Sequence, residues 1–258
     1  ALPICNQPLN PMGETPTLDW AGAEFVERAI LIGTPSGGSA KAVVSLIEGI
    51  HPAPVLPHYR PAHLGTMPAI YQLLPRVRHR PVIDTATGEP IDLLNVNQWE
   101  SRGWGLLDPD EDDGLAQLLP QATDRAERVR IARDHLAKCL ERARAFQAAL
   151  DIAAEPPPGV DLFLFAGDAF PTRSQLGVDP KTGELSVLAT APGDTTVTRA
   201  NALVDERRGD PKSWSPRLQS PLHFSGVHFL FTDHFGLTED PAFTDNALHI
   251  LMEARRSD

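Results

Sequence analysis

Three short apolar runs constrain this chain more than any other feature. Ala29-Ile30-Leu31-Ile32 stops at Gly33, Val160 to Phe165 is nearly continuous, and Val227 to Phe231 mixes branched and aromatic residues around one histidine. Runs of this length without polar alternation suit strands buried on both faces, as in a parallel sheet covered by helices. Helical patterns fall between them. Thr34-Pro35-Ser36-Gly37-Gly38-Ser39 is a turn opening a helix over Ala40 to Gly49, with Val43, Val44, Leu46 and Ile47 on its buried side. A longer helix is expected from Asp124 to Ala153, with Asp124 and Glu127 as a capping pair and a stripe of Val129, Leu136, Leu140, Ala143, Phe146 and Leu150. Pro156-Pro157-Pro158-Gly159 ends it. Asp240-Pro241 starts a last helix that turns Phe243, Ala247, Ile250 and Leu251 inward.

Between the first and second runs regular patterning breaks down. The chain has 25 prolines, concentrated towards its first half, and they interrupt the segment from His51 to Pro120. Val82 to Ile91 reads as a hairpin with Gly88 in the turn, and Val178 to Leu185 as a second hairpin shaped by Pro180 and Gly183. Asp108 to Asp113 reads as a solvated acidic loop, and residues 1–20 as a connecting loop. The expected fold is therefore α/β: a parallel sheet flanked by helices, formed by residues 1–50 and 154–258, with residues 51–153 inserted as an irregular, partly helical cap.

Composition narrows the function. The formal net charge is −11, which opposes binding to a phosphate backbone, so no nucleic-acid partner is expected. No apolar run approaches the ~20 residues of a membrane span. Cys5 and Cys139 supply neither a disulfide framework nor a metal spacing, and Cys139 falls on the apolar side of the long helix. His51, His58, His63 and His79 lack the helical spacing of a zinc site, so no metal and no cofactor are expected. Nothing in the sequence fixes an oligomeric state.

The chemistry concentrates near the end of the chain. Asp194 lies in Gly193-Asp194-Thr195-Thr196-Val197, and His234 follows 40 residues later in Asp233-His234-Phe235-Gly236-Leu237. An acid and then a histidine, each just after an apolar run, is the order of the last two members of a hydrolase triad. The bland reading is that Asp194 caps a turn and His234 caps a loop. The Gly-x-Ser-x-Gly elbow of such enzymes does not occur in the 258 residues. Ser36 and Ser39 sit in a glycine-rich turn but lack its glycine spacing, so packing the turn and capping the helix suit them better than attack on a substrate. Asp168, directly after the second apolar run, is the rival acid. Asp233 reads as a loop-stabilising residue. Leu73, Leu74, Trp99, Trp104, Leu106 and Leu107 in the cap are candidates to line an acyl pocket, with ordinary cap core as the alternative.

Five segments in order resemble the α/β-hydrolase superfamily, specifically its group of lecithin:cholesterol acyltransferase and lysosomal phospholipase. They are Ile30 through Lys41, Ala69-Ile70-Tyr71-Gln72-Leu73-Leu74-Pro75, Gly159-Val160-Asp161 through the Phe170-Pro171-Thr172 turn, the Gly193 to Val197 acid motif and the Asp233 to Leu237 histidine loop. The resemblance implies a serine esterase, lipase or acyltransferase acting on a small-molecule ester or lipid, with Asp194 as acid and His234 as base. It favours Asp194 over Asp168. The chain departs from the family in carrying Thr195 where a glycine or second acid is common. The resemblance also implies a nucleophile and oxyanion donors upstream of Ala1, without which these residues are not expected to hydrolyse esters alone. The competing class is a hydrolase-like module that binds a ligand without catalysis.

Overall fold

The three apolar runs form one parallel sheet in the computed structural model, which describes residues 20–51, 55, 57–208 and 217–252. In chain order the regular elements are β1 (Arg28–Ile32), α1 (Ala40–Glu48), α2 (Pro61–Leu64), α3 (Pro68–Gln72), β2 (Val82–Asp84), α4 (Val96–Arg102), α5 (Asp112–Leu118) and α6 (Arg125–Leu150). They continue with β3 (Asp161–Gly167), β4 (Phe170–Val178), β5 (Leu185–Gly193), α7 (Arg199–Leu203), β6 (Glu206–Arg208), β7 (Arg217–Gln219), β8 (Gly226–Leu230) and α8 (Pro241–Met252). The expected loop over residues 1–20 lies almost wholly outside the described residues, as does Cys5.

Strand β3 is central, with β1 and β8 parallel to it on either side. Alternation along the strands sorts the side chains onto two faces. Leu164 and Ala166 of β3, with Leu31 and Phe229, pack towards α7 and Val197. Phe163 and Phe165, with Ile30 and Leu230, pack towards Phe243 and Ile250 of α8. This arrangement is α/β, a sheet covered by helices on both faces. Leu251 departs from expectation: it is 60% exposed, because α8 turns only Phe243, Ala247 and Ile250 inward.

A second, larger core crosses the expected cap boundaries. Leu136, Cys139, Leu140 and Ala143 of α6 pack with Trp99, Trp104, Leu106 and Leu74, but also with Val43 and Leu46 of α1 and Leu176 and Val178 of β4. Helix α6 begins as read, since the Asp124 carboxylate accepts the Glu127 N–H at 2.8 Å. The Glu127 carboxylate, however, turns to the N–H and hydroxyl of Thr123. Val129 at the start of the stripe is half-exposed.

Two local expectations are corrected. Asp108 to Asp113 is not a solvated loop: Pro109–Glu111 forms a 3₁₀ turn and α5 starts at Asp112. The buried Glu111 carboxylate accepts the Ala62 N–H (3.0 Å) and Arg60 Nε (3.1 Å), while Asp112 binds Arg128 at 2.9 Å. These acids are therefore fixed by partners brought from α2 and α6. The second hairpin is much longer than its turn suggested. Strands β4 and β5 pair antiparallel over nine residues each, so Phe170-Pro171-Thr172 is strand and not turn, with Pro171 opposite Pro192. The Val82–Ile91 hairpin does form around Gly88, by a bridge between Ile83 and Pro90.

Candidate active site

The chemistry read from the sequence collects where the C-terminal edge of the parallel sheet meets the end of the β4–β5 hairpin. Strand β5 ends at Gly193 and presents Asp194, and β8 ends at Leu230, four residues before His234. This edge is the usual place for a site in an open α/β sheet. Here Asp194 and His234 meet: His234 Nδ1 lies 2.7 Å from Asp194 Oδ2, and the His234 N–H donates to the Asp194 carbonyl at 2.8 Å.

The rest of the Asp194 carboxylate is saturated by its own turn. Oδ1 accepts the N–H groups of Thr196 (2.9 Å) and Val197 (2.6 Å), and the side chain is 1% exposed. Burial alone would raise this carboxyl's pKa. The hydrogen bond from His234 and those from Val197 and Thr196 outweigh burial and hold it below the ordinary value. An ionised carboxylate only accepts, so in that state His234 Nδ1 carries the hydrogen between them. In the neutral form of the ring this tautomer leaves Nε2 as a lone pair. Among the described residues Nε2 has no hydrogen-bond partner, and the His234 side chain is 29% exposed.

Two glycines admit these side chains. Gly33, immediately after β1, has φ +56°, and a Cβ there would lie 3.0 Å from His234 Cε1 and 2.7 Å from Leu237 Cδ1. At the end of β3, a Cβ on Gly167 would lie 2.7 Å from Asp194 Cβ.

The turn between β1 and α1 is bonded to the acid loop. Ser39 Oγ donates to the Thr196 carbonyl (2.5 Å) and accepts the Lys41 N–H (3.1 Å), the geometry of a helix cap. Ser36 is 6% exposed, and its carbonyl accepts Arg76 Nη1 at 2.6 Å. Neither serine hydroxyl is hydrogen-bonded to His234. Lys41 Nζ reaches Thr196 Oγ1 at 3.2 Å and lies over the Phe235 ring.

The remaining candidates are spread apart. Asp168 is ion-paired with Arg199 at 3.3 Å, and Asp233 Oδ1 accepts the Gly236 N–H at 2.9 Å. Leu74, Trp99, Trp104 and Leu106 are buried in the larger core, with the indole N–H groups of Trp99 and Trp104 donating to the Leu93 and Gly183 carbonyls. The Leu73 carbonyl accepts the Ser39 N–H. Leu107 lines a surface cavity of about 650 Å³ with Leu115 and Val129, and Leu106 a cavity of about 200 Å³ with Leu115 and Ile131. Neither cavity is lined by Asp194 or His234. Among the described residues no three His, Cys, Asp or Glu side chains are grouped as a metal site.

Thr172 was not singled out by its sequence context. It is 2% exposed, accepts the Thr195 N–H at 2.8 Å and donates to the Phe170 carbonyl at 3.1 Å. The Pro-Thr pair looked like a turn, and only strand pairing places this hydroxyl beneath the acid.

No protein-family model matches the chain, and no curated protein matches it. Among solved structures it is similar to one described as the crystal structure of the Tle4-Tli4 complex, at 17% identity and a TM-score of 0.40. The match covers 76% of this chain and 40% of that chain, so this chain spans less than half of that one.

Proposed function

We propose that the chain carries the base and orienting acid of a serine-type hydrolase or acyltransferase acting on carboxylic esters, with lipid esters as the leading class. The observation that carries this reading is the buried Asp194 carboxyl group hydrogen-bonded to Nδ1 of a partly exposed His234 whose Nε2 has no hydrogen-bond partner among the described residues. In this reading Nε2 takes the proton from a serine hydroxyl as its oxygen attacks the ester carbonyl. It returns that proton to the departing alkoxide, and water or an acceptor alcohol then releases the acyl group by the same relay. In this reading the serine is supplied by a segment outside these 258 residues: no Gly-x-Ser-x-Gly occurs in the sequence, and among the described residues no serine is hydrogen-bonded to His234.

Hydrolysis of short-chain p-nitrophenyl esters by a protein that includes that segment tests the reading. His234→Ala and Asp194→Ala are each expected to abolish turnover. Activity unchanged by both substitutions refutes the proposal.

A further inference from the structure

We propose that Thr172 is a positioning residue for the acid, holding the turn that aims the Asp194 carboxylate at His234. Its role in turnover rests on the dyad reading above; its role in geometry does not. Thr195, the residue after the acid, has φ +77°, a left-handed conformation that a β-branched residue adopts only when its surroundings impose it. Thr172 Oγ1 supplies the restraint by accepting the Thr195 N–H at 2.8 Å.

The residue before the acid lies against the same hydroxyl. A Cβ on Gly193 would stand 2.5 Å from Thr172 Oγ1 and 2.8 Å from its Cβ, so the chain lies directly against this side chain there. Gly193 and Thr195, on either side of the acid, therefore both lie against one buried hydroxyl. That hydroxyl is oriented in turn, because its hydrogen goes to the Phe170 carbonyl across the start of β4. Thr172 is carried on a paired strand, opposite Ala191, and so transmits the rigidity of the hairpin to the acid loop. The Asp194 carboxylate then needs no support from solvent: Thr196 and Val197 hold one oxygen and His234 the other.

Three variants separate positioning from plain packing. Thr172→Val keeps the side-chain shape, removes the acceptor and releases the Thr195 N–H from the strand to solvent. Thr172→Ser keeps the hydroxyl. Thr195→Gly removes the penalty of positive φ, so the restraint is no longer needed. The first readout is the downfield imidazole Nδ1–H proton of His234 by NMR, which reports the bond to Asp194 without any turnover. It is expected to broaden or shift upfield in Thr172→Val, to persist in Thr172→Ser and to return in the double variant Thr172→Val/Thr195→Gly. Ester turnover should fall about tenfold in Thr172→Val, the effect of one lost hydrogen bond, and recover in the double variant. An unchanged Nδ1–H signal in Thr172→Val overturns the proposal, as does a lost signal that Thr195→Gly does not restore. If Thr172→Val fails to fold, amide exchange in the unmodified protein decides. Thr195 N–H, on an otherwise exposed residue, should be strongly protected, and fast exchange overturns the proposal. Absence of ester turnover in every form, with the NMR pattern intact, removes the hydrolase reading and leaves Thr172's role standing.

Discussion

Asp194 grips His234 twice, with its carboxylate at Nδ1 (2.7 Å) and with its carbonyl at the His234 backbone N–H (2.8 Å). The two contacts fix both the ring and the loop that carries it. Side-chain replacement removes only the first, so Asp194→Asn should leave the loop in place while presenting an amide to the ring. An amide can donate to Nδ1 and so stabilise the wrong tautomer. In a protein complete for catalysis, turnover should then fall by roughly 10³–10⁴-fold, on the precedent of the same change in a serine protease. Steady-state kinetics beside a thermal melt would check this, with a small change in KM expected.

Acid should loosen the molecule through two carboxylates. The Asp194 pKa is depressed as described, and burial of Asp151, which would raise its pKa, is outweighed by hydrogen bonds and charge from Arg78 and Arg76. A carboxyl with a lower pKa in the folded than in the unfolded state stabilises the fold above the unfolded value, near 3.9, and that contribution fades as pH falls through the folded value. Stability from these two groups is thus full at neutral pH and lost progressively below about pH 4. Denaturant titrations at several pH values should show this slope, and it should be shallower in Asp151→Asn.

The serines of the glycine-rich turn give a prediction of the opposite kind. Ser39→Ala removes a helix cap and the bond to the Thr196 carbonyl, and is expected to destabilise the fold by about 1 kcal/mol. Ester turnover should change only a few-fold in Ser36→Ala and Ser39→Ala. A loss of several orders of magnitude in either would mean that the turn itself carries the nucleophile.

Glu111 tests the acidic segment that proved to be structured. Its carboxylate is 7% exposed and accepts from Ala62 N–H and Arg60 Nε. Glu111→Ala leaves the Ala62 N–H and the half-buried Arg60 without that partner, a loss of roughly 2–4 kcal/mol. Urea unfolding should register it, whereas Asp113→Ala, in the same acidic run, should be close to neutral.

These contrasts indicate what the sequence could carry. The parallel strands were legible because Leu164, Phe165 and Leu230 are buried, and Ile30 partly so, with helices on both faces of the sheet, and such strands read as unbroken apolar runs. His234 was legible because it follows β8 at the edge of the parallel sheet, and Asp194 because it sits in a Gly-Asp-Thr-Thr turn. Strand β5 was not, since Ser186 through Thr190 are all exposed and show no inward–outward alternation. Glu111 looked solvated because Arg60 and Ala62, about 50 residues away, supply its partners. Thr172 was hidden for the same reason, its role depending on a pairing with Ala191 and a turn 23 residues on. Contacts between distant segments, and not local propensity, made these the unreadable positions.

Gly33 offers a test that leaves every polar group in place. Gly33→Ala combines the strain of positive φ with a Cβ pressed on His234 and Leu237, and is expected to destabilise the fold by about 1–3 kcal/mol while displacing the imidazole. Turnover should therefore fall more than stability alone explains.

The tautomer of His234 probes the whole construction most directly. Imidazole ¹⁵N spectra of the neutral ring should show hydrogen on Nδ1 and an unprotonated Nε2 in the unmodified protein, with that pattern lost in Asp194→Asn. A neutral ring protonated on Nε2, or a pattern indifferent to Asp194→Asn, would contradict an acid that orients this histidine as a base.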